Sequence, residues 1–203
     1  MIAFEDYVKV KNNYCICYFG NCNEYLVLLE MLRPRIEAKF PGLNFYIGCK
    51  DDCLSYFSVL DKILPISELK IRKNEFAHIK ELKYDSQDHP IQKILEESEV
   101  EKITLGLLNC NERTTKAIIV KENTYPVNPL NSQQIATAIR IAESRGFQVE
   151  FSNDWANSGL VIGVESEAVV RAARAGIPTI LADNGIGTKF YKKIFPDLEL
   201  LPN

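Results

Sequence analysis

Leu160 to Ile194 reads LVIGVESEAVVRAARAGIPTILADNGIGTKFYKKI. Leu160–Val164 is an apolar run of the length of a buried strand. Glu165–Ala175 carries helical spacing, and Gly176 stops it. Pro178–Ala182 is another apolar run, and Thr188–Ile194 another short helix. Strands alternating with helices in this order predict an α/β sheet, largely parallel, with right-handed crossovers.

The same alternation extends in both directions. Upstream lie strand-like Lys116–Lys121 and a clean amphipathic helix through Arg145, with Asn131 or Ser132 as its cap. Strand Phe147–Phe151 follows, then a loop holding Trp155, an aromatic that would suit either a base or sugar or the core. Downstream, Leu198–Leu201 is a last short strand. Near the start, Tyr14–Phe19 reads as a buried strand, and a helix runs from Glu24 to Phe40. Pro34 is expected to kink or restart that helix. Leu43–Cys49 is a second strand, Asp52–Val59 a short helix, and Lys62–Ile66 a third strand. From Ser67 to Glu101 the chain is polar, with one helix over His89–Glu97. Lys102–Leu108 is strand-like again. The expected organisation is two Rossmann-like lobes with mainly parallel sheets, 1–98 and 99–203, the polar stretch marking the seam. One continuous doubly wound domain is the competing arrangement.

Composition narrows the function. At 203 residues the chain is long enough to bury a core unaided. With 24 Lys and Arg against 27 Asp and Glu, no basic surplus draws a nucleic acid by charge. No apolar run approaches the roughly 20 residues that span a bilayer. The first residues lack the pattern of a signal peptide, so a cytoplasmic location is expected.

Six cysteines and two histidines are present. In a cytoplasm the cysteines are expected as buried thiols rather than disulfides. Cys15 and Cys17 are read as pointing to opposite sheet faces, a poor geometry for sharing a metal. Cys49 and Cys53 lack a second pair at usable spacing. His78 and His89 lie far in sequence from the glycine-rich loops, so no histidine metal site or nucleophile triad is expected.

Ligands of open α/β sheets lie beyond the carboxyl ends of the strands. Three loops qualify. Gly20-Asn21-Cys22-Asn23 has amides that orient hydroxyls but cannot act as a base, and it also reads as a cap and turn. Val164-Glu165-Ser166-Glu167 opens a helix. Ser166 suits a phosphate, whereas the two glutamates repel one and favour the helix end itself. Asp183-Asn184-Gly185-Ile186-Gly187-Thr188-Lys189 is the most suggestive. Gly185 and Gly187 permit close backbone approach, Thr188 adds a hydroxyl and Lys189 a positive charge. A plain strand-to-helix turn capped by Thr188 is the competing account.

Together these segments resemble a GT-B glycosyltransferase, most closely the heptosyltransferase family, glycosyltransferase family nine. Glu165-Ser166-Glu167-Ala168-Val169-Val170 follows the family's Asp-Ser/Thr-Gly-x-x-His pattern. The Ala-rich helix and Gly176-Ile177-Pro178 before a strand also fit, as do Gly20-Asn21 and Phe40-Pro41-Gly42. Lys121 and Tyr125-Pro126 echo the Lys-x-Trp-Pro segment. The carboxyl-terminal part equally resembles nucleotide-sugar 2-epimerases. The resemblance implies a nucleotide-sugar donor bound by the carboxyl-terminal lobe and a glycan or other hydroxyl acceptor on the amino-terminal side. It implies no essential metal or other cofactor. It carries ligand contacts onto Gly20, Asn21, Glu165, Ser166, Gly185, Gly187, Thr188 and Lys189. Three family positions depart: Asn21 replaces the acidic candidate base, Glu167 the glycine and Val170 the histidine. The chain is also shorter than the family's members. The catalytic base is unassigned, with Asp51, Asp52, Glu24 and Asp154 candidates by type. The alternatives are a catalytically degraded module that binds a nucleotide or glycan, or serves as a partner subunit, and an unrelated Rossmann-like binding domain.

Overall fold

The computed structural model describes residues 12–20, 23–57, 60–83, 89–97, 114–120, 128–184 and 188–202. The chain divides into two compact units, Met1–Ile103 and Thr104–Asn203. The strand expected at Lys102–Leu108, and Lys121 and Tyr125-Pro126, lie outside the described residues.

The first unit carries β1 (Asn13–Cys17), α1 (Asn23–Lys39), β2 (Asn44–Cys49), a 3-10 turn (Asp51–Tyr56), β3 (Ile63–Pro65) and α2 (Ile66–Arg72). A second 3-10 turn (Lys73–Glu75), β4 (His78–Glu81) and α3 (Pro90–Glu97) complete it. Its four strands lie in the order β3-β2-β1-β4 and every pairing is parallel. The expected kink at Pro34 is not a break: one helix runs through it. Leu28, Leu29, Leu32 and Ile36 are buried on both sides of the proline, so packing holds the helix across the missing donor.

The cysteine placement needs correction. Residues two apart on a strand share a face, and Cys15 and Cys17 do: their sulfurs lie 3.6 Å apart in one core cluster with Leu64, Leu69 and Phe76. Gly48 lies opposite Cys17, and a Cβ there would press on its sulfur. Cys15, Cys17, Cys49 and Cys53 are all free and buried, as expected of small hydrophobes; Cys22 and Cys110 lie outside the described residues.

The second unit carries β5 (Lys116–Ile119), α4 (Ser132–Ser144), β6 (Gln148–Phe151), β7 (Leu160–Gly163) and α5 (Glu167–Arg174). It ends with β8 (Thr179–Leu181), α6 (Thr188–Ile194) and β9 (Glu199–Leu200). Five strands lie in the order β6-β5-β7-β8-β9, again all parallel. Ala138 and Ala142 of α4 pack with Ile119, Leu160, Ile162 and Ile180 in its core. The small alanines let the helix approach the sheet. α4 and α5 are each followed by a glycine at positive φ, Gly146 (+80°) and Gly176 (+74°), where other residues are strained.

Between β6 and β7 no helix intervenes. Residues 152–159 cross directly, pinned by Ser152 N–H to the Ile119 carbonyl (3.2 Å) and Gly159 N–H to the Lys116 carbonyl (2.8 Å). Trp155 sits half-buried in this crossover. Among the described residues β6 forms the sheet edge, where Lys116 and Glu150 pair at 3.3 Å across exposed side chains. No helix among the described residues is long and apolar enough to cross a membrane.

Candidate functional site

In a parallel sheet all strands end at one rim, and the following helices start there. The strand order reverses between β1 and β4 in the first unit and between β5 and β7 in the second. Such reversals are where α/β proteins open a crevice for ligands.

At the first reversal the space above β1 holds aromatic rings. Tyr18 meets Tyr25 edge-on at 5.0 Å, and Tyr25 meets His89 at 4.8 Å. Gly20 is exposed beside Tyr18, and a Cβ there would overlap the far end of the Tyr18 ring. Asn21 lies outside the described residues. His89 Nδ1 accepts from Ile91 N–H at 3.3 Å, capping α3 and placing the imidazole proton on Nε2. Burial holds this histidine neutral, its pKa lowered to about 3. His78 stacks on Tyr14 at 5.4 Å.

Of the carboxylates considered as a base, Asp51 accepts from both the N–H and the hydroxyl of Ser67, at 3.2 and 3.0 Å. Asp154 accepts from Ala156 N–H at 3.2 Å. Glu24, in the first turn of α1, is buried. Asp52 is exposed beside Cys53.

At the second reversal Gly163 ends β7. A Cβ there would sit 2.9 Å from Val169 and 3.0 Å from Val120, so the glycine lets α5 close down on the sheet. Glu165 and Ser166 follow and both are buried. Ser166 is the N-cap of α5: its hydroxyl accepts from Val169 N–H at 3.4 Å. Glu167, expected to repel an anion, is paired with Arg171 at 2.7 Å on the same helix.

The loop leaving β8 begins with exposed Asp183 and half-buried Asn184. Gly185 and Gly187 and the Lys189 side chain lie outside the described residues. Thr188 is described: it starts α6, is buried, and its hydroxyl has no hydrogen-bond partner among the described residues. Nothing local in the sequence distinguished Gly163 or Gln134, and Asn184 stood out only as a member of the glycine-containing loop, yet all three shape this rim. Gln134 and Asn184 exchange side-chain hydrogen bonds of 2.6 and 2.9 Å. Among the described residues no group of three or more His, Cys, Asp or Glu side chains is placed to hold a metal ion.

The backbone is similar to the crystal structure of the bacterial iron-containing dodecameric glycosyltransferase TibC from enterotoxigenic E. coli H10407. The TM-score is 0.53 at 12% sequence identity, over 85% of this chain and 58% of that one. The chain thus has a glycosyltransferase-like α/β fold of two parallel sheets. It spans less than two thirds of the length of that neighbour. No protein-family model matches the chain. No curated protein matches it.

Proposed function

We propose that this protein binds a nucleotide-sugar and transfers the sugar to a hydroxyl acceptor, in the manner implied by its resemblance to heptosyltransferases. The glycosyltransferase-like fold carries this reading. In such a transfer the acceptor oxygen bonds to the anomeric carbon as the bond from that carbon to the diphosphate breaks. The acceptor proton passes to a base, and the diphosphate leaves with the negative charge. At the second unit's rim the buried Thr188 hydroxyl is available as a donor to the leaving group; by residue type, Gly185 and Gly187 would permit close approach and Lys189 would bring charge. Ser166 caps α5 by accepting from Val169 N–H, which leaves its O–H as a donor for the leaving group.

The second reading is a module that binds the nucleotide without turnover. Asp51 and Asp154 each hold local hydrogen bonds through one oxygen and Glu24 is buried, which favours it, while Asp52 is exposed and stays the open candidate for a base. One experiment addresses both. UDP, GDP, ADP and CDP are tested by thermal shift; at a hundredfold excess over Kd the bound nucleotide adds about 2.7 kcal/mol, several degrees in Tm. No shift with any of them removes both nucleotide readings. A shift with hydrolysis of the matching nucleotide-sugar supports transfer; a shift without it supports the module. Gly187→Val is expected to abolish the shift while leaving the protein folded.

A further inference from the structure

Asn184 and Gln134 stand 50 residues apart in the chain and face each other amide to amide. Gln134 Nε2 donates to Asn184 Oδ1 at 2.6 Å, and Asn184 Nδ2 donates back to Gln134 Oε1 at 2.9 Å. Asn184 Nδ2 also reaches the carbonyls of Asn128 and Pro129, both at 3.1 Å. Gln134 Oε1 further accepts from Asn131 N–H at 3.0 Å, while Asn131 Oδ1 accepts from Gln134 N–H at 2.9 Å. One continuous set of hydrogen bonds therefore ties the loop after β8 to the cap of α4 and to the segment before it. A strand-to-helix turn needs none of this reach. Both side chains are half-buried, so water competes only partly for their bonds.

The chemistry of the pair is informative. Two neutral amides supply donors and acceptors in equal measure and add no charge. A carboxylate at either position would hold one side of the pair but place a negative charge beside the rim proposed for a diphosphate. We propose that Gln134 and Asn184 are positioning residues. Their clasp fixes the start of the loop after β8 before ligand arrives, so that ordering is not taken from binding energy. This rests on the nucleotide-sugar reading above.

The test compares Gln134→Met, Asn184→Leu and the double variant with wild type, using whichever nucleoside diphosphate shifts the Tm, together with its parent nucleoside. Each single variant should weaken diphosphate affinity by about tenfold, and the double variant by little more, because the two act as one unit. Affinity for the nucleoside should not change. Ala142→Gly, in the core at the other end of α4, destabilises the same helix and should leave both affinities unchanged. Gln134→Asn keeps the amide but withdraws it by one methylene, and serves if the apolar replacements do not fold. Unchanged diphosphate affinity in the folded clasp variants overturns the inference alone. So does equal loss for nucleoside and diphosphate, or the same loss in Ala142→Gly. A wild type that binds no nucleotide removes the nucleotide reading and the clasp's role together.

Discussion

His89 is a neutral imidazole enclosed by Tyr25 and the first turn of α3. Burial lowers its pKa from 6.5 to about 3. Between those values the unfolded chain takes up a proton that the folded chain refuses, so stability falls as pH drops below 6.5. The loss from this group approaches about 1.4 kcal/mol per pH unit well below that point. Urea unfolding between pH 7 and 4 should show this slope, and His89→Phe should flatten it. The thiols respond in the opposite direction. Burial pushes Cys49 up to about 12, and the hydrogen bond with Cys17, reinforced by burial, raises Cys15 further. Thiols held protonated are poor nucleophiles. At pH 8 a thiol reagent should therefore leave Cys15, Cys49 and Cys53 unmodified in the native protein, with denaturant exposing all three to labelling. Mass spectrometry of the labelled peptides reads this directly. Lys62 shows a different constraint: it occupies a left-handed conformation, φ +61°, while its ammonium pairs with Glu37 at 2.7 Å. That ion pair and its bond to Asn44 at 3.2 Å hold a position where glycine would be easier.

Among the elements, α4 shows how much local sequence can say. Its Asn131 and Gln134 form a reciprocal capping box, and its alanines face the sheet. Asn131→Ala should cost about 1 kcal/mol, read as a lower urea midpoint at unchanged slope. The apolar strands β1, β2, β7 and β8 were equally legible, because strands covered on both faces are written as continuous hydrophobic runs. β4 was not. His78-Ile79-Lys80-Glu81 alternates half-buried with exposed at a sheet edge, and its signal as a strand is its partner β1, not its composition. α2 was missed for a related reason: Leu69 is its buried residue in an otherwise polar stretch. α5 starts two residues later than its spacing suggested because Ser166 is spent on the cap. At the rim, the loops that could carry a ligand were visible from glycines and helix starts. The Gln134–Asn184 clasp was not, since each amide is ordinary in its own neighbourhood and meaningful only across the fold.

At the scale of the whole molecule, each unit has its own parallel sheet and buried core among the described residues. Residues 104–203 expressed alone should therefore melt in a single cooperative transition, followed by circular dichroism; a broad, non-cooperative melt would show that the unit is not self-sufficient. The helix-free crossover after β6 bears on how that half behaves in solution. It leaves Gln148–Phe151 as an outer strand, with Phe151 partly exposed and Glu150 carrying its charge outward. No strand among the described residues pairs with its outer side; such a row of peptide groups recruits its like from another copy, and a carboxylate on it makes that meeting unfavourable. Glu150 is thus worth more to colloidal behaviour than its weak surface ion pair is to folding. Glu150→Val would give a protein that melts almost as before yet precipitates when concentrated.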